Sequence, residues 1–283
     1  MITDKETNKV YFSELLKTNS VYEEAYNGII RILDKHKIDY DFLKGTKDIW
    51  ARDYMPVQKD VGSFVQFRYE PSYLKNDLDY QSDPKVICAA HNLNPVISNI
   101  NLDGGNVIKW SDKVIISTRV LKENVGYGDS KLIADIEKLL EAQVILIPDI
   151  HYPEDMTGHA DGYVRFFNEK TILVNEIKDN EYKYWLTGFQ KMVKEHGFDY
   201  ITVPWFEYKN KDYPDSAIGL YLNYLEIGNL IILPIFGVKG NVDEKVIDLF
   251  KSLFPQKHIE PVIINQVANE GGLMNCISWN IKI

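Results

Sequence analysis

Cysteine is scarce in this 283-residue sequence, with only Cys88 and Cys276. A disulfide framework is excluded, because such frameworks use several bridges in a short chain and one bridge adds little to a chain of this size. Reduced thiols and a cytoplasmic setting are the expectation. Long apolar runs are missing too. No stretch approaches the roughly 18 apolar residues of a spanning helix, and the opening MITDKETNKVYFSELLKTN lacks the apolar centre of a secretory signal. Neither a membrane nor export is expected. Excess positive charge is also absent. The 32 basic residues face 41 acidic ones for a net charge of −9, and the lysines are scattered among acids. Phosphate neutralisation needs a clustered basic face, so nucleic acid is not an expected partner and a small cation is the more natural guest.

Other absences narrow the chemistry. There is no HExxH and no CxxC, and the six histidines show no paired-ligand spacing, so no metal is expected. GxGxxG, GxxxxGK[ST] and GxSxG are lacking, which removes the usual dinucleotide, phosphate-loop and serine-hydrolase signals. No linker rich in Pro, Gly or Ser divides the chain, so residues 1–283 read as one domain.

What is present is a loose repetition. Paired β-rich runs joined by short polar turns occur at 55–67, 106–117, 163–174 and 221–233, and half of such a pair, CISWNIKI, stands at 276–283. Helical periodicity lies between them. It is clear in Leu132, Ile133, Ile136, Leu139 and Leu140 after a cap at Asp129 or Ser130, and a first helix is predicted over Val21 to Lys37. A further apolar run follows each helix, at 40–43, 95–100, 144–148, 200–204 and 261–265. The unit is strand, strand, helix, strand. Five units of about 57 residues fill the chain, each too small to stand alone, which predicts an α/β fold of five modules around a shared axis.

The polar residues recur at one place in each unit. They are Asp53 in IWARDYMP, Asp103 in NLDGGNV, His159 and Asp161 in TGHADGYVRF, Asn223 in LYLNYL and Cys276 in EGGLMNC. The intervals from Asp53 through Asp103, His159 and Asn223 to Cys276 are 50, 56, 64 and 53 residues. Modules about an axis would point these groups at one volume. Each has a plainer reading. Asp53 can be a loop ion pair, Asp103 can cap a turn that uses the glycines at positive φ, and Asp161 can serve an Asx turn. His159 can be a satisfied core histidine, Asn223 an exposed strand residue, and Cys276 an inert thiol like Cys88 in VICAA. Together they are more specific. A thiol with a histidine fits nucleophilic catalysis, and several carboxylates beside a thiolate are tolerable only if a cation neutralises them. A planar guanidinium meets that requirement, since carboxylates bind it bidentately.

These motifs, in order from about residue 48 to 280, resemble those of agmatine deiminases and the related bacterial-type peptidylarginine deiminases, of the guanidine-modifying superfamily. The resemblance implies the pentein fold, an α/β propeller of five ββαβ modules about a pseudo-fivefold axis. It implies Cys276 as nucleophile, His159 as general acid and base, Asp103 as its acidic support, and Asp53 and Asp161 as the guanidinium clamp. Asn223, Trp50 and Arg68 fall on the substrate side. No metal or organic cofactor is implied. The expected reaction converts agmatine to N-carbamoylputrescine and ammonia through a thiouronium on the cysteine.

The sequence departs from the family in two places. Leu273, Met274 and Asn275 stand where a richer glycine run and often a histidine precede the cysteine. The segment FRYEPSYLKND at 67–77 matches neither the expected agmatine-deiminase pattern nor paired carboxylate-binding arginines, although Arg68 could meet a carboxylate and Glu70 an amine. Deimination of peptidyl or free arginine, transfer of the amidino group to an amine, and non-catalytic guanidine binding therefore stay open alternatives. A homodimer is compatible with the sequence, which does not fix the oligomeric state.

Overall fold

Five three-stranded sheets, each carrying one helix, make up the architecture. The chain is described by a computed structural model over residues 1–150, 155–176 and 182–283. In four modules the strands run consecutively. They are Val57–Asp60, Ser63–Arg68 and Val96–Asn101, then Ile108–Trp110, Lys113–Ser117 and Gln143–Ile147. Val164–Phe166, Thr171–Asn175 and Asp199–Val203 follow, and after them Leu225–Ile227, Leu230–Ile235 and His258–Ile263. In each the first two strands pair antiparallel and the third lies parallel to the middle one, with the module's helix as the crossover. The helices are Pro84–Ala90, Asp129–Leu140, Lys183–His196 and Asp243–Leu253.

The remaining module closes the ring. Lys9–Ser13 pairs antiparallel with Ser278–Ile281, with Lys9 opposite Ile281, and parallel with Asp39–Leu43 after the helix Glu23–His36. The expected half-hairpin at the C-terminal end thus finds its partner strand near the N-terminus. Lys9–Ser13 was not legible as a strand, because its mate is far away in sequence and five residues carry little periodicity. The first predicted helix starts two residues late, since Ser20–Tyr22 forms a 3-10 turn. The cap of the Asp129 helix is Gly128, with Asp129 in the first turn.

Middle strands are buried on both faces. Val114, Ile115 and Ile116 are 0% exposed, as are Leu230 through Leu233. One face meets the module's own helix, as Val114 and Ile116 meet Leu132 and Ile136, and the other meets the next module, as Ile115 joins Trp185 and Phe189, which suits near-continuous apolar runs. The Asp129 helix turns Leu132, Ile136 and Leu140 inward at i, i+4 and i+8. Burial of each such side chain contributes about 1.5–3 kcal/mol. Among the described residues no helix is long and apolar enough to cross a membrane.

Candidate active site

The loops entering each first strand meet at the axis, and a cavity of about 770 Å³ opens over them. Asp53, His159, Asp161, Asn223 and Cys276 line its floor, with Trp50 beside them. Asp103 lies behind His159, outside the lining. Asp53, Asp103, His159, Asp161 and Asn223 are all at least nine-tenths buried.

His159 is held between two carboxylates. Its Nε2 is 2.8 Å from Asp103 Oδ2, and its Nδ1 is 3.5 Å from Asp53 Oδ1. Burial disfavours the imidazolium, but Asp53, Asp103 and Asp161 outweigh burial and push its pKa up to about 10. The ring is therefore cationic near neutral pH. Asp53 is itself pushed up to about 8, first by burial and then by the neighbouring carboxylates of Asp103, Asp161 and Asp48, against the pull of His159. A carboxyl raised this far is largely protonated near neutral pH, and it ionises fully only when a cation arrives, so the site has an unmet demand for positive charge.

The thiol sits against that demand. Cys276 Sγ is 3.7 Å from Asp161 Oδ2 and accepts from Asn223 Nδ2 at 3.2 Å. Burial, then Asp161 and Asp53, hold the thiol well above its usual range, so the free site carries a neutral S–H. Cys88, by contrast, lies in the helix Pro84–Ala90 away from the cavity lining, its thiol pushed up to about 12 mainly by burial.

The backbone of the cysteine loop is fixed independently of the sulfur. Asn223 Oδ1 accepts from the N–H groups of Asn275 at 3.0 Å and Cys276 at 3.2 Å. Arg52 donates its own N–H to Cys276 O at 3.0 Å and its Nε–H to Asn275 O at 3.3 Å. Asn275 Nδ2 donates to Asp161 Oδ2 at 2.7 Å. Asn275 thus ties the Cys276 loop to the Asp161 carboxylate, a contact its place in the sequence did not signal. The sequence does not signal the part played by Arg52 either. The residue reads as an ion partner of Asp53, whereas the buried guanidinium turns away, to Asn280 Oδ1 at 2.6 Å.

The glycines have a different reason from the expected one. Neither Gly104 nor Gly105 has positive φ. Both are needed for close approach. A Cβ on Gly104 would stand 2.0 Å from Arg52 O, and one on Gly105 would stand 2.5 Å from Asp53 Oδ1 and 2.8 Å from His159 Nδ1. Gly105 N–H also donates to Asp53 Oδ1 at 3.1 Å. Gly105→Ala is expected to lower turnover at least about 100-fold while thermal unfolding moves little, because it displaces two site groups by about an ångström. Steady-state kinetics beside a melting curve checks this. Gly272 follows the same rule, since a Cβ there would meet the Trp50 ring at 2.2 Å.

Arg68 does not reach the site. Its side chain is 43% exposed, pairs with Glu70 at 3.6 Å, and lies outside the cavity lining. It sits at the exposed end of the strand Ser63–Arg68, so the expected substrate-side role does not fit its position. Asp48, not singled out by the sequence, does line the cavity. It is 7% exposed, its Oδ1 accepts from Trp50 N–H at 3.0 Å, and burial raises its pKa to about 7. Among the described residues no three of His, Cys, Asp and Glu are arranged to hold a metal ion.

Five ββαβ modules closed into a ring, with cysteine, histidine and carboxylates converging at the centre, define a protein of the pentein class. The model of the Porphyromonas-type peptidyl-arginine deiminase family matches residues 4–281, and the chain belongs to that family. A protein of Mycoplasma capricolum, provisionally named agmatine deiminase, is 23% identical over 225 residues, or 69% of this chain and 61% of that protein. The match thus spans about three fifths of the length of this curated relative. Among solved structures, a protein of Porphyromonas gingivalis provisionally named arginine deiminase superposes with a TM-score of 0.80 at 17% identity, covering 99% of this chain and 97% of that one. C. jejuni agmatine deiminase gives 0.77 at 18% identity, covering 99% and 94%. These likenesses establish the pentein α/β propeller.

Proposed function

We propose that the chain is a deiminase that hydrolyses the guanidinium group of a small cationic substrate, agmatine, to N-carbamoylputrescine and ammonia. The observation that carries this reading is the convergence of Cys276, His159 and the Asp53–Asp161 pair on one buried floor. Agmatine is favoured over arginine by the cavity wall. Among the described lining residues Lys47 is the lone lysine and there is no arginine, whereas Glu176, Glu207, Asp212, Asp215 and Glu270 are present. An α-carboxylate finds little to pair with there, and a terminal ammonium is attracted. Two of the similar proteins carry the name agmatine deiminase, whereas a third and the family model are named for arginine and peptidyl-arginine, so the choice rests on the cavity wall.

The chemistry follows from the charges. Asp53 and Asp161 grip the guanidinium nitrogens and set its carbon near Sγ. The arriving cation cancels the carboxylate field that kept the thiol protonated, so Cys276 releases its proton to the solvent of the open cavity, His159 being already protonated, and the thiolate attacks the carbon. A C–S bond forms. His159 gives its proton to one nitrogen, the C–N bond breaks and ammonia leaves, giving an S-alkylthiouronium. The ring, now neutral, takes a proton from water as the hydroxyl adds to the carbon. The hydroxyl proton passes to the sulfur as the C–S bond breaks, which restores the thiol and releases the ureido group. Asp103 fixes the ring through Nε2 and balances its charge.

A panel of agmatine, free arginine and N-blocked arginine, read by ammonia and by ureido product, tests the assignment. Agmatine is expected to be turned over at least about tenfold more efficiently than either arginine. Preference for blocked arginine would replace agmatine with a peptidyl substrate.

A further inference from the structure

The segment between the strand Ser63–Arg68 and the helix Pro84–Ala90 matched no expected pattern, yet it reaches the site. Its 3-10 turn Ser72–Leu74 is anchored where Ser72 donates to the Glu123 carboxylate from N–H at 3.0 Å and from Oγ at 2.5 Å. That anchor presents Tyr73 to the cavity. Tyr73 Oη donates to Asp103 Oδ2 at 3.0 Å, and His159 Nε2 lies 2.8 Å from the same oxygen. The tyrosine and histidine rings meet edge to face, with centroids 6.0 Å apart and planes at 70°. We propose that Tyr73 is a positioning residue for His159, its hydroxyl setting how strongly Asp103 holds the ring's proton and its ring setting the imidazole's orientation.

One carboxylate oxygen serves two donors. A hydroxyl bonded to it draws off negative charge and makes it a weaker partner for the imidazolium. In the proposed reaction the histidine must both give a proton and take one back, so a carboxylate that gripped the proton too hard would slow the acid step. Burial and Asp103 keep the Tyr73 hydroxyl protonated far above neutral pH, so it remains a donor throughout. The other groups facing His159 are Asp53, from the helix Ala51–Tyr54, and Asp161, from the histidine's own turn. A Tyr73→Phe change leaves both in place.

The inference rests on the deiminase reading, but one arm of its test does not. In ligand-free protein, NMR titration of the His159 ring nitrogens is expected to show Tyr73→Phe moving the ring's titration upward by about 0.5 to 1 pH unit. With agmatine, kcat is expected to fall about 5- to 20-fold and KM to stay within about twofold, the histidine limb of the pH profile moving upward with the ring. Tyr73→Leu, which also removes the ring, is expected to lose more. A ring that titrates in Tyr73→Phe as in the parent overturns the inference, and so does a loss confined to KM. An enzyme inactive on every guanidine would overturn the functional reading while the titration still decides the role of Tyr73.

Discussion

Asp161→Asn is expected to move two measurable quantities in opposite directions. Turnover should collapse. Asp161 is 1% exposed, and removing one partner of a buried ion pair costs about 3–5 kcal/mol, so kcat/KM for agmatine is expected to fall by about 10²- to 10⁴-fold. The free thiol should become more reactive. After burial, Asp161 is the largest influence holding the Cys276 thiol above its usual range. Without that charge the pKa drops, and each unit of the drop gives about tenfold more thiolate while the pH stays below it. Alkylation of Cys276 by iodoacetamide, a neutral reagent, is therefore expected to accelerate in the variant that has lost turnover. Asparagine keeps an oxygen for the Asn275 Nδ2 donor, so the loop geometry has reason to persist. Slower or unchanged alkylation together with lost turnover would mean that Asp161 only holds the loop.

Cys276→Ala is expected to abolish turnover, by on the order of 10⁴-fold or more, because no other group can form the bond to carbon. Binding is expected to survive. The loop is secured through backbone groups, with Cys276 N–H on Asn223 Oδ1 and Cys276 O receiving Arg52 N–H, and neither contact uses the sulfur. Asp53 and Asp161 also remain. Calorimetry is expected to give an agmatine dissociation constant within about tenfold of the parent's KM. Loss of binding together with turnover would place the sulfur in recognition instead.

The sequence exposed the fold where burial is repetitive. Middle strands such as Lys113–Ser117 are closed on both faces, so they read as unbroken apolar runs, and the helix Asp129–Leu140 keeps its stripe because one face is buried. The same repetition made the site legible. Asp53, Asp103, His159, Asp161, Asn223 and Cys276 occupy like places in successive modules, and closing the ring brings like places together. What stayed hidden depends on contacts between modules. Lys9–Ser13 is completed by Ser278–Ile281 from the other end of the chain. The need for glycine at 105 comes from Asp53 and His159, more than 50 positions away on either side, rather than from its own φ. Tyr73, Asn275 and Arg52 act through hydrogen bonds across module boundaries, and no local pattern announces such bonds. Arg68 erred in the opposite sense, since a plausible charge near a motif lies on the outer surface.

The central claim is that Cys276 attacks the guanidinium carbon once substrate charge has freed it from the field of Asp53 and Asp161. Acid quenching of the protein during turnover of agmatine, followed by peptide mass measurement, tests it directly. The account predicts a peptide containing Cys276 heavier by the mass of agmatine less ammonia, absent from Cys276→Ala and from protein quenched without substrate. Turnover with no adduct at Cys276 under any quench time, or turnover that persists in Cys276→Ala, would contradict it.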